Sequence, residues 1–171
     1  MNALIITVVR SGSSRLLQSI ASHYGQEGIF EPTTPDYRRE FDPSSDIVKI
    51  AIQTLSVDEH IELINKFDNV ILLDRKDVIA QSESYLNLWN VLGGRYDSKY
   101  ISKSFTQEQI KDTVYKFNKW KKDLKEISSR INKPIIYLED LLEFKAIEGV
   151  EYDTNFFKPE YKLRQYTKQA I

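Results

Sequence analysis

The sequence predicts an α/β fold, a three-layer sandwich with helices on both faces of a central, mostly parallel sheet. Three observations lead there. Short β-branched apolar runs alternate along all 171 residues with segments of helical period. The runs "ALIITVV" and "NVILLD" are apolar almost throughout, as strands covered on both faces are. No internal repeat or low-complexity stretch interrupts the alternation, and the length suits a single domain with a sizeable core.

Taken in order, residues 3–9 are the first expected strand and 14–24 the first helix, with Leu16, Leu17, Ile20, Ala21 and Tyr24 on one face. Gly28–Glu31 reads as a short strand stopped by Pro32, which has no N–H to give a ladder. "EPTTPDYRREFDPSSD" holds three prolines and mixed charge and reads as a loop or lid. "IVKIAIQ" is strand-like. "SVDEHIELINKF" opens with Ser56 and has Glu59 three residues on, the reciprocal capping box of a helix start. After the strand 69–74 comes a helix with Val78, Ile79, Ser82, Tyr85, Leu86 and Trp89 on one face, ended at Gly93-Gly94. A long amphipathic helix is expected from about Gln107 to Ile131, with Ile110, Val114, Phe117, Leu124 and Ile127 inward. Pro134 precedes a last strand, "IIYL", and Glu139-Asp140 begin a short helix. Beyond Gly149 the periodicity fades, so 150–171 reads as a basic, aromatic tail of the same domain.

Composition narrows the classes. A net charge of -1 offers no basic field to hold nucleic acid. With no cysteine there is neither a disulfide framework nor a thiolate metal site, which fits a reducing compartment. No apolar run approaches a membrane span, and no basic, apolar leader precedes the first strand, so a cytoplasmic location is expected.

The turn "RSGSSR" (10–15) joins the first strand to the first helix. Ligands of parallel sheets bind at the carboxyl ends of strands, where a helix N-terminus offers free N–H groups and a favourable dipole. Gly12 lets a ligand approach the backbone, Ser13 and Ser14 add hydroxyl donors, and Arg10 and Arg15 add charge. These residue types suit an anion. They also suit a serine-capped helix with two surface arginines. The turn is not a Walker A loop, which needs a second glycine and a lysine. A second strand-to-helix turn, "DRKDVIAQSES" (74–84), offers Arg75 at the strand tip with Ser82 and Ser84 on the helix, able to grip one phosphate from two sides.

Together the two turns resemble the sulfotransferase family. Arg10-Ser11-Gly12-Ser13-Ser14 is similar to its phosphosulfate-binding loop, [KR]-S-G-[ST]-[ST], closest to the carbohydrate-type members. Residues 75–84 match the bacterial-type R-[RK]-D-x-x-A-Q-x-x-S, which aligns Arg75 and Ser84 with the residues that bind the donor's 3′-phosphate. "YLEDLL" (137–142) resembles a following Y-E-D-L segment. The resemblance runs from about residue 4 to 142. It implies a P-loop NTPase-like fold and transfer of a sulfuryl group from 3′-phosphoadenosine 5′-phosphosulfate (PAPS) to a hydroxyl or amine of a small-molecule or carbohydrate acceptor. Arg10 to Arg15, Arg75 and Ser84 would bind the donor, and Arg10 would also steady the leaving group. No metal is implied, because a sulfuryl group carries less negative charge than a terminal phosphoryl, and fixed cations and N–H dipoles can stabilise its transfer.

The catalytic base is less defined. Many members carry a histidine after the third strand, and "VKIAIQTL" has none. His23 and His60 read as surface or packing residues. Other members use a glutamate in an E-P segment after the first helix, and Glu31 before Pro32 stands in that place. Asp77 reads as a helix cap. Tyr37, Arg38, Arg95 and Tyr96 are candidates for acceptor contacts, and Lys162 and Arg164 for the 3′-phosphate. Two other classes stay open: a nucleotide kinase-like phosphotransferase, for which Asp74 would have to hold Mg²⁺, and a non-catalytic nucleotide-binding module of the same fold.

Overall fold

The computed structural model describes residues 1–34, 39–88 and 105–159. Three apolar runs form the centre of its sheet: β1 (Ala3–Thr7), β3 (Ile47–Ala51) and β4 (Val70–Asp74). Every residue of β1 and β3 is buried, the condition that makes such strands apolar on both alternations. Two three-residue strands flank them, β2 (Gly28–Phe30) and β5 (Ile135–Tyr137), giving the order β2-β3-β1-β4-β5. All four pairings are parallel, with Ile5 opposite Lys49 and Ile6 opposite Leu72. Short edge strands leave few unpaired backbone groups at the sheet margins.

The strands alternate with α1 (Ser13–His23), α2 (Val57–Ile64), α3 (Val78–Leu86), α4 (Gln107–Ile131) and α5 (Leu138–Leu142). Leu16, Leu17 and Ile20 of α1 and Leu141 of α5 pack on one sheet face with Ala3, Ile5 and Leu73. Ile64 of α2 and Phe117, Leu124 and Ile127 of α4 pack on the other with Leu4, Ile6 and Leu72. The result is the expected α/β sandwich.

Several boundaries differ from expectation. β1 stops at Thr7 and not at residue 9, because Arg10 and Gly12 turn the chain through the left-handed region, φ 65° and 81°. β3 gives way after Ala51 to a 3₁₀ turn, Ile52–Thr54. Ser56 and Glu59 make the capping box, but α2 ends at Ile64. On α3 the buried residues are Gln81, Ser82 and Leu86, while Ile79 is 55% exposed. On α4 Thr113 is buried where Ile110 and Val114 are only partly covered. The C-terminal segment begins later than read, since Val150 and Phe157 join the α1-side core and a 3₁₀ turn, Thr154–Phe157, packs on α1. Trp89 and Gly93-Gly94 lie outside the described residues. Among the described residues no helix is long and apolar enough to cross a membrane.

The strand order positions the site. The connection leaving β1 runs towards β2 on one side, and the connection leaving β4 runs towards β5 on the other. Between their carboxyl ends the two loops diverge, and such a switch point is where open parallel sheets bind ligands.

Candidate functional site

The loop after β1 is tied down at its root. Val8 N–H donates to the Leu73 carbonyl of β4 at 3.3 Å. Thr7 donates its hydroxyl to the Val8 carbonyl at 2.8 Å and pairs with the Ser11 hydroxyl, which is fully buried. Ser11 therefore serves the loop's own shape. Gly12 is the N-cap of α1 and has no side chain to offer; its carbonyl accepts from Arg15 and Leu16 at 3.0 and 3.1 Å. The N–H groups of Gly12, Ser13 and Ser14 donate to no backbone carbonyl of the described residues. They are the orphan donors of the first turn of α1, at the positive end of its dipole. A Cβ at Gly12 would stand 2.6 Å from Leu138 Cδ1, so α5 presses directly against this loop.

The loop after β4 is joined to the first from α3 and α4. Arg10 Nε donates to Ser84 Oγ at 2.9 Å, bridging the switch point. Gln81 Nε2 donates to the Val9 carbonyl at 2.9 Å and reaches Asp74 Oδ1 at 3.4 Å. Lys121 of α4 contacts both Asp74 oxygens at 2.7 Å and the Arg75 carbonyl at 2.6 Å. That ammonium offsets the charge of the buried Asp74 carboxylate at the end of β4. Asp77 caps α3, accepting from Ala80 N–H at 2.9 Å. The Lys76 and Asp77 N–H groups donate to the Glu139 carboxylate at 3.0 and 3.3 Å. Ahead of α3 the Lys76 and Asp77 amides thus meet a protein carboxylate, while the Gly12, Ser13 and Ser14 amides meet no carbonyl of the described residues.

Glu31 follows β2 directly and lies in the left-handed region, φ 49°. Its carboxylate reaches Lys49 Nζ at 2.5 Å and accepts from Ala51 N–H at 3.0 Å. Both side chains are buried, and Lys49 also lies 3.9 Å from the centre of the Phe30 ring. Burial pushes the Lys49 ammonium below its usual value against the pull of Glu31, and the nearby charge of Arg10 lowers it further.

The structure therefore brings together Arg10, the Gly12–Ser14 amides and Ser84, with Arg15 on the first turn of α1. Ser84 is bonded by Arg10, and the charge of Arg75 helps to hold the Glu139 carboxyl below its ordinary value. His60 is fully buried, with Nδ1 2.9 Å from the Ser56 carbonyl, and His23 pairs with Glu151 at 2.8 Å. Tyr37, Arg38, Arg95, Tyr96, Lys162 and Arg164 lie outside the described residues. Sequence reasoning missed Lys49, Gln81, Lys121 and Glu139. Lys49 left a signal, a lone charge inside the buried run "IVKIA"; Lys121 left none among the charges of α4. Among the described residues no three His, Asp or Glu side chains gather as a metal site. Compared with known proteins, the chain matches no family model and no curated protein.

Proposed function

We propose that this protein is a sulfotransferase of P-loop-like fold that moves a sulfuryl group from PAPS to a hydroxyl or amine of a small-molecule or carbohydrate acceptor, without a metal. The observation that carries this reading is the Arg10–Ser84 bridge across the switch point, beside the amides of Gly12, Ser13 and Ser14. Those amides, the dipole of α1 and the Arg10 guanidinium suit a 5′-phosphate, and Arg75 just past β4 with the Ser84 hydroxyl suits the 3′-phosphate.

The donor supplies an activated sulfuryl group on a phosphate leaving group. Arg10 and the α1 amides stabilise the charge that gathers on the bridging oxygen as its bond to sulfur breaks. The acceptor's oxygen or nitrogen forms the new bond to sulfur. Glu31 takes its proton, with Lys49 and the Ala51 N–H orienting the carboxylate.

The test is transfer of label from sulfur-labelled PAPS to a panel of alcohols, sugars and amines in the presence of a chelator. Labelled product is expected from at least one acceptor class and its loss in Arg10→Ala. No product from any class, together with Mg²⁺-dependent phosphoryl transfer from ATP, would overturn the assignment.

A further inference from the structure

The segment "YLEDLL" stands at the β5–α5 junction, and three consecutive residues of it touch both loops of the candidate site. Leu138 presses on Gly12. Asp140 reaches Lys76 Nζ at 3.2 Å and accepts from Tyr137 N–H at 3.1 Å. Between them, Glu139 accepts from Lys76 N–H at 3.1 and 3.0 Å through its two oxygens and from Asp77 N–H at 3.3 Å. Two successive backbone amides converging on one carboxylate make an anion nest whose anion is part of the chain. Bonds of this type to an ionised acceptor are about twice as strong as neutral ones.

We propose that Glu139 is a positioning residue, a built-in anion that closes the amide pair ahead of α3 and holds the Arg75 turn in the shape that reads the donor's 3′-phosphate. The proposal rests on the sulfotransferase reading, because it names what the turn recognises. It also explains a difference between two otherwise similar loops. At α1 the Gly12, Ser13 and Ser14 amides meet no carbonyl of the described residues; ahead of α3 the Lys76 and Asp77 amides are held by Glu139, and the Ala80 amide by Asp77. Burial pushes the Glu139 carboxyl up, but the Lys76, Glu139 and Asp77 N–H groups and the Arg75 charge hold it below its ordinary value. The clamp therefore stays charged through the neutral range and lets go as pH falls through that lowered value.

The test compares the wild-type chain with Glu139→Gln, which keeps the shape and removes the charge, and Glu139→Asp, which keeps the charge at shorter reach. One arm needs no ligand: amide hydrogen exchange at Lys76 and Asp77, read by NMR against the Leu72 amide of β4. The other is calorimetric affinity for 3′-phosphoadenosine 5′-phosphate relative to adenosine 5′-phosphate. In Glu139→Gln, exchange at the two amides should accelerate while Leu72 stays protected. The preference for the 3′-phosphate should fall about tenfold with affinity for adenosine 5′-phosphate unchanged. Glu139→Asp should recover part of both. Unchanged exchange, or equal loss of both nucleotides, would overturn the proposal. A wild-type chain that binds both nucleotides equally would instead sink the donor assignment, and the 3′-phosphate role of Glu139 with it.

Discussion

Gly12→Ala probes the point where the first loop, α1 and α5 meet. The residue sits at φ 81°, and an alanine there carries the left-handed penalty of roughly 1–2 kcal/mol. The new methyl would also stand 2.6 Å from Leu138 Cδ1. That atom is the end of a flexible side chain and can turn aside, so the contact adds about 1 kcal/mol, the low end of overpacking costs. The sum is about 2–3 kcal/mol. Gly25 supplies the comparison, since it has φ 63° and nothing within 4 Å of its added Cβ, so Gly25→Ala carries the backbone cost alone. Adding Leu138→Ala to Gly12→Ala relieves the contact, and the pair should fall short of additivity by about 1 kcal/mol. Urea unfolding of the single and double variants reads all of this. Equal losses for Gly12→Ala and Gly25→Ala, with Leu138→Ala strictly additive, would refute the claim that α5 braces the loop.

Lys121→Met should cost about 3–5 kcal/mol, because it strands a buried carboxylate, and adding Asp74→Leu should recover most of that in denaturant melts. His60 has its pKa lowered chiefly by burial, so the unfolded chain binds the extra proton first as pH falls. Stability should hold above the ordinary histidine value of 6.5 and drop as pH falls through the depressed folded value; melts of His60→Leu should lack that slope. Glu31→Gln should lower turnover by roughly 10²–10⁴-fold with donor affinity nearly intact, measured where the variant is folded, since it also weakens the Lys49 pair. Wild-type turnover in that variant would place the base elsewhere.

Much of the fold was legible in the sequence because its signals are local. The two-sided burial of β1 and β4 shows as continuous apolar runs, and the start of α2 shows as the Ser56–Glu59 capping box. The sequence singles out Arg10 to Ser14 and, separately, Arg75 with Ser84; that Ser84 bonds Arg10 across the switch point is visible only in the structure. What escaped was tertiary. Gln81 is buried and Ile79 exposed because α3 turns its amide towards the Val9 carbonyl, which no periodicity records. Lys121 and Glu139 act across 47 and 62 residues of sequence, on Asp74 and Asp77, and nothing near them announces it. The packing of Phe157 on α1 likewise depends on a partner far up the chain.

The central claim is that the bridged loops bind a 3′-phosphorylated adenine nucleotide without a metal. Titrating the full chain with 3′-phosphoadenosine 5′-phosphate in excess chelator, and then with ATP and Mg²⁺, tests it most directly. The 3′-phosphorylated nucleotide should bind, ATP with Mg²⁺ should bind far more weakly, and Arg10→Ala should lose the first signal. Heat from ATP with Mg²⁺ alone, or an Arg10→Ala titration indistinguishable from wild type, would contradict it.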